Sequence, residues 1–239
     1  MSGYVTKRSV PIDTAWRPEL AYVVGLIATD GCLYNDRRHI NLTSKDLQLI
    51  RTFKKCLGLR NKEGKKNSGF ADTWAYNLQF GSVDFYNFLL DIGLTPAKSK
   101  TMSEIKIPKE YFPDFLRGLF DGDGTIYSYM DPRWASSHMF YTAFVSASKL
   151  FIDWLQKQGN GILGINGRIS ISRKVEGNTV YQLKYAKKES LVLIGHMYYN
   201  HKVPCLKRKR DKIRKILKKH NYFINKLDKR TFLKKSLII

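Results

Sequence analysis

Two stretches of the chain are almost wholly apolar and stop abruptly at an acid. Over residues 18–28, Leu20, Val23, Val24, Leu26 and Ile27 cover most of a helix circumference, while Ala21, Gly25 and Ala28 form a small-residue stripe spaced by four and three. A helix apolar on every side must be buried. The second copy of this helix, over 112–120, repeats the central glycine as Gly118, where the missing side chain admits another backbone. We expect the two helices to pack on each other. Each is expected to stop at Asp-Gly, where Gly31 and Gly124 supply the free backbone geometry at which helix gives way to strand.

Behind each helix the period of the pattern shortens to two. Within 33–43, Ile40 and Leu42 alternate with Arg37, His39 and Asn41 about a turn near Asp36, which predicts a hairpin with one polar face. Leu47, Ile50, Phe53 and Leu57 then carry helical spacing up to Gly58. Tyr76, Leu78 and Phe80 alternate with Asn77, Gln79 and Gly81 as a half-buried strand, and 85–92 reads as a helix ended by Gly93. The second half repeats the order. Strands are predicted at 125–130 and 140–146, and a helix opens at 151–155. Ile169 and Ile171 then alternate with Arg168, Ser170 and Ser172, and Tyr181, Leu183 and Tyr185 with Gln182 and Lys184. The second hairpin has the longer loop, 131–138. Residues 207–219 are densely basic, yet Ile213, Ile216 and Leu217 trace a helix face; 221–239 could dock as a helix or fray. The pattern as a whole predicts an α+β chain of two αββαββα repeats, 1–107 and 108–239.

Charge narrows the partners. Against 20 acids stand 42 lysines and arginines, a formal charge of +22, which points to a polyanion: nucleic acid first, an anionic membrane second. No apolar run approaches the roughly 20 residues needed to span a bilayer, and the N-terminus lacks a signal peptide's apolar centre. The expectation is a soluble intracellular protein, with no choice made between bacterial or archaeal cytoplasm and an organelle. The 3 cysteines include no CxxC pair and the 5 histidines sit singly, so neither a disulfide framework nor a structural zinc site is supported. What remains is the pair Asp30 and Asp123. An aspartate at a helix C-terminus faces the negative end of the dipole and needs a compensating cation. Two matched carboxylates near a twofold axis can hold divalent metal beside two phosphodiesters, one on each strand of a duplex.

With the apolar helix, the Asp-Gly ending and the mixed repeat each present twice, nearly all of the chain resembles the LAGLIDADG homing endonucleases of the single-chain, two-motif type. That resemblance implies a pseudo-twofold interface of motif helices and two curved four-stranded antiparallel sheets forming a saddle over double-stranded DNA. It implies a monomer that makes a double-strand break in a long pseudo-palindromic target, leaving short 3′ overhangs. The last acid of each motif is then a metal ligand, here Asp30 and Asp123, with the backbone carbonyls of Thr29 and Gly122 beside them. The implied metal is Mg²⁺, with Mn²⁺ as an alternative and Ca²⁺ as a non-cleaving substitute. Ala28 departs from the pattern where an earlier aspartate is common, whereas the second copy keeps Asp121. Unequal cutting of the two strands is expected from that difference.

The resemblance also calls for polar and basic side chains around the scissile phosphates. Lys98 and Lys100 after Pro96, and Lys207 and Lys209 after Pro204, are basic clusters at matching points of the repeats. Lys98 and Lys207 are read as the phosphate or transition-state contacts. Gln79, Lys184 and Ser44 are further catalytic candidates, Ser44 standing where many members have glutamine. Strand alternation gives the DNA-contact candidates Tyr34, Arg37, Arg38, His39, Asn41, Asn77, Gln79, Tyr127, Tyr129, Arg168, Ser170, Ser172, Gln182 and Lys184. Arginine, asparagine and glutamine can read base edges, while lysines track phosphate. Two other functions share this fold and charge: an intron RNA maturase, with intron RNA as partner, and an inactive DNA-binding regulator. Retention of both acids favours the nuclease. An intein origin is less attractive, because the chain starts at Met1 and ends in Ser-Leu-Ile-Ile rather than His-Asn; a free-standing intron-encoded protein fits better.

Overall fold

The computed structural model describes residues 11–67, 74–133, 138–175 and 178–219. The stretch 221–239 and residues 134–137 of the second hairpin loop lie outside the described residues. The first half contains α1 (Pro18–Asp30), β1 (Gly31–Leu33), β2 (His39–Ser44), α2 (Leu47–Cys56), β3 (Gly64–Asn67), β4 (Trp74–Gly81) and α3 (Val83–Asp91). The second contains α4 (Phe112–Gly122), β5 (Thr125–Met130), β6 (His138–Ser146), α5 (Lys149–Leu163), β7 (Arg168–Val175), β8 (Asn178–Tyr185) and α6 (Lys187–Met197), followed by α7 (Lys207–Lys219). Each half forms a four-stranded antiparallel sheet, in the orders β1-β2-β4-β3 and β5-β6-β8-β7. The α+β reading and its repeated αββαββα order are both present.

The seam between the halves is α1 against α4, and it is set by glycine. A Cβ on Gly25 would stand 2.3 Å from Phe115 O, and one on Gly118 only 2.2 Å from Tyr22 O. The two backbones therefore touch where the small-residue stripe predicts. Each sheet turns its apolar face to its own helices, the arrangement by which a mixed layer buries its hydrophobic side. In the first half Phe80 stacks near Phe53 and Phe85, with ring centroids 6.1 Å apart in both pairs. In the second, Phe144 meets Phe120 of α4 at 6.5 Å and Tyr185 at 6.4 Å.

Each half also sends a connector across to the other half's second helix. Ser148, the N-cap of α5, accepts from Phe151 N at 3.4 Å and donates to Met102 O. Reciprocally, Gln48 of α2 accepts from Lys207 N at 3.0 Å and donates to Cys205 O at 2.9 Å, while Asp46 binds Arg208 at 2.7 Å.

Two sequence expectations are corrected. Gly31 is extended (φ −86°, ψ 149°), and neither Gly31 nor Gly124 is among the residues with positive φ. Their glycine is required instead by close approach, since a Cβ would lie 2.6 Å from Ile27 Cα and 2.5 Å from Phe120 Cα respectively. Ile171 does not face the core: the register shifts between Ile171 and Arg173, and Ile171 is 59% exposed.

Candidate active site

Beyond the glycine contact, α1 and α4 run on together to their acidic ends. A Cβ on Gly122 would lie 2.0 Å from Thr29 Oγ1 and 3.2 Å from Asp30 Oδ2, so the last turns of the two helices are pressed together. Burial, and then the neighbouring Asp123 charge, raise the Asp30 carboxyl to about 6. Burial also raises Asp123. Among the described residues neither carboxylate has a hydrogen-bond or ion-pair partner. Two ionisable acids lie within electrostatic reach of one another, each at a helix C-terminus whose dipole disfavours it.

Two lysines answer this. Ala97 adopts a left-handed conformation (φ 52°) immediately before Lys98, whose buried Nζ donates to Gly31 O. Lys209 Nζ donates to Phe120 O, Gly122 O and Gly124 O at 2.6, 2.7 and 2.7 Å. Gly31 and Gly124 are equivalent positions of the repeat, so Lys98 and Lys209 are pseudo-twofold mates. Both ammonium groups lower the two carboxyls, and burial in turn pulls Lys98 below its ordinary value and Lys209 to about 8. Three carbonyl partners use all three of the Lys209 N–H donors.

Lys207, the residue singled out in the second basic cluster, is exposed, and its backbone N–H binds Gln48. Lys209 holds the place symmetric with Lys98. The signal for it is present in the sequence: positions 209, 213 and 216 form one stripe of α7, and Lys209 is buried along with Ile213 and Ile216.

Asp121 and Ala28 occupy equivalent positions but different worlds. Asp121 Oδ2 accepts from Tyr22 OH at 2.8 Å and from Leu206 N at 2.6 Å, tying α1 and the approach to α7 onto α4. Burial raises its carboxyl to about 6. Nearby, Arg117 is wholly buried inside the seam. It donates to Met197 O (2.7 Å), Pro204 O (2.8 Å) and Asp114 Oδ1 (2.5 Å), so the connector after α6 is fixed to α4. Sequence reading missed both roles.

The profile of the LAGLIDADG-like domain matches residues 17–93 and 114–196, once over each half. The chain belongs to this family. Subunit Rpo1C of the DNA-directed RNA polymerase of Methanocaldococcus jannaschii is 27% identical over 127 residues, which are 51% of this chain; the chain spans only 14% of that protein's length. Three solved structures share the fold. Full-length WhiA from Thermatoga maritima is 16% identical, with a TM-score of 0.53 over 95% of this chain and 68% of that one. The I-LtrWI LAGLIDADG homing endonuclease, bound to its target DNA, gives 14% and 0.56 over 91% and 95%. I-DmoI, in complex with DNA and Ca, gives 16% and 0.52 over 82% and 97%.

In this LAGLIDADG chain the remaining candidates fall into three groups. Tyr34, Arg37 and Arg38 lie in the turn between β1 and β2 rather than on a strand, and His39 opens β2. On the outer face of the first sheet, Gln79 is exposed and Asn77 half-buried, whereas Asn41, paired between Cys32 and Gln79, is only 7% exposed and accepts from Thr43 Oγ1 at 3.0 Å. On the second sheet Tyr141 stacks between Tyr127 and Tyr129 at 5.6 and 6.0 Å, with Lys184 Nζ 5.1 Å from its ring centroid. Arg168 and Ser172 are exposed there, and Ser170 and Gln182 half-buried. Ser44 braces the turn that follows its own strand, where its Oγ accepts from Asp46 N at 3.1 Å, as Ser146 does from Ser148 N at 3.1 Å in the other half.

The donor set at the centre fits a hard divalent cation. It consists of two carboxylates that have no hydrogen-bond or ion-pair partner among the described residues, and the main-chain carbonyls of two helix ends. Among the described residues no group of three or more histidine, cysteine or acidic side chains gathers anywhere, so a zinc-type cage is not offered. Gly122 O already accepts from Lys209 and has one lone pair left for a cation.

Proposed function

We propose that the protein is a site-specific DNA endonuclease that uses a divalent cation, Mg²⁺ by the donor chemistry, to cut both strands of a long pseudo-palindromic duplex, leaving 3′ overhangs. The observation that carries this reading is the meeting of Asp30 and Asp123, unpartnered and raised, over a matched pair of buried lysines. Asp30 and Asp123, with the carbonyls of Thr29 and Gly122, hold the cation. Bound there, Mg²⁺ supplies an acidified water and offsets charge on the leaving oxygen. Lys98 and Lys209 fix the two helix ends and balance the carboxylates when no cation is bound. Gln79 and Asn77 on one sheet, and Arg168, Gln182 and Lys184 on the other, meet base edges and phosphates. Both acids lie in one polypeptide, so a monomer suffices.

The test uses a duplex that joins the two exons on either side of the host intron, the intronless insertion site. With Mg²⁺ the duplex is cut on both strands; with chelator, with Ca²⁺, or in Asp30→Asn and Asp123→Asn it stays intact while binding persists. Cutting by either variant at the native rate, or intact DNA alongside enhanced splicing of the host intron RNA, would remove the nuclease reading.

A further inference from the structure

A cavity of about 400 Å³ opens on the flank of the molecule, where the start of α1, the end of α2, the connector after α6 and the first turn of α7 meet. Lys55, Lys202, Lys207, Arg210 and His201 line it, against the single acid Glu19. Arg210 Nη1 donates to His201 O at 3.2 Å, while its buried Nε has no hydrogen-bond partner among the described residues. Glu19 and Asp30 stand at opposite ends of α1, about 16 Å apart at roughly 1.5 Å per residue. No strand residue contributes to the lining. The cavity is therefore separate from both the acid pair and the sheet faces.

We propose that this cavity binds a compact ligand carrying two or more phosphates. Its volume lies within the range of small-molecule sites, about 300–1,000 Å³. Four permanent cations converge from two halves of the chain on a space too small for a duplex. Lysines answer phosphate as point charges, and an arginine adds a planar fork. Lys207, which sequence reading directed to the scissile phosphate, contributes its charge here instead. A nucleoside triphosphate and a free oligophosphate share this chemistry, and the titration separates them.

Isothermal titration of the full chain with ATP and with tripolyphosphate tests the site. Because a chain of formal charge +22 attracts any polyanion, two double variants are compared. Lys55→Gln/Lys202→Gln removes two exposed cavity lysines, and Lys62→Gln/Lys157→Gln removes two exposed lysines outside it. The first is expected to weaken binding at least tenfold and the second less than twofold, with amide shifts in the native protein gathered at Thr52, Lys55 and 201–210. Tighter binding of ATP than of tripolyphosphate assigns the site to nucleotides, and equal binding assigns it to the phosphate chain alone. Equal weakening by both double variants, shifts confined to the sheet faces, or binding only of a single-stranded oligonucleotide overturns the proposal.

Discussion

The two acidic helix ends carry the same aspartate, the same following glycine and an equivalent lysine, yet they are anchored to different depths. At the α4 end Lys209 takes three carbonyls, Asp121 binds both Tyr22 and Leu206, and Arg117 ties down the connector. At the α1 end Lys98 makes one such bond, from a turn that holds Ala97 in a left-handed conformation, and Ala28 offers nothing polar. A duplicated motif thus preserves the acid while the scaffolding beneath it diverges. The charge pair is symmetric and its mechanical support is not.

The comparison can be broken most severely at the shared seam. Gly25→Ala and Gly118→Ala each drive a methyl into a backbone carbonyl and are expected to cost about 3 kcal/mol, equally, by chemical denaturation. Unequal costs would show that the seam itself is lopsided. Next come the lysines: Lys209→Met, which orphans three buried carbonyls, is expected to cost about 2–3 kcal/mol, and Lys98→Met about half that. The reverse ranking refutes the difference in anchoring.

The acids give a smaller, pH-dependent effect. Asp30 is raised in the folded state, so its contribution to stability is fully present below about 3.8 and is lost as pH rises through about 6. Asp30→Asn should therefore stabilise the cation-free protein by about 1–2 kcal/mol at pH 7.5 after allowance for screening, and by almost nothing at pH 4. Ca²⁺ should raise the melting temperature of the native protein at pH 7.5 and raise it less at pH 5, where most of Asp30 is protonated, with little response at either pH in Asp30→Asn. A Ca²⁺ response equally large at both pH values, or unchanged in Asp30→Asn, would place the cation elsewhere. The smallest effect is Ala97→Gly, which relieves the left-handed residue and should gain about 0.5 kcal/mol; a loss there would mean the turn is not strained.

Much of the architecture was legible because it is written in period and glycine. The helix pair, both Asp-Gly ends and most strands follow from alternation and from positions where only a missing side chain fits. The short β3, Gly64–Asn67, left no alternation to read because it is polar and largely exposed. The deep charges were harder. Arg117 is buried by carbonyls 80 and 87 positions away, a pairing that no local pattern encodes. Lys209 sits in a run of cations that reads as a solvated face, and only its register with Ile213 and Ile216 betrays its depth. Asn41 has the right parity for the outer face, but it sits on a strand paired on both sides, is only 7% exposed, and its Oδ1 accepts from Thr43 Oγ1.

Where Gly25 meets Gly118, neither helix can slide without a carbonyl colliding with an α-carbon. The approach of the two helices is consequently set there by main chain alone. Drift across the sheet faces can change their outer surfaces and leave that gauge unaltered.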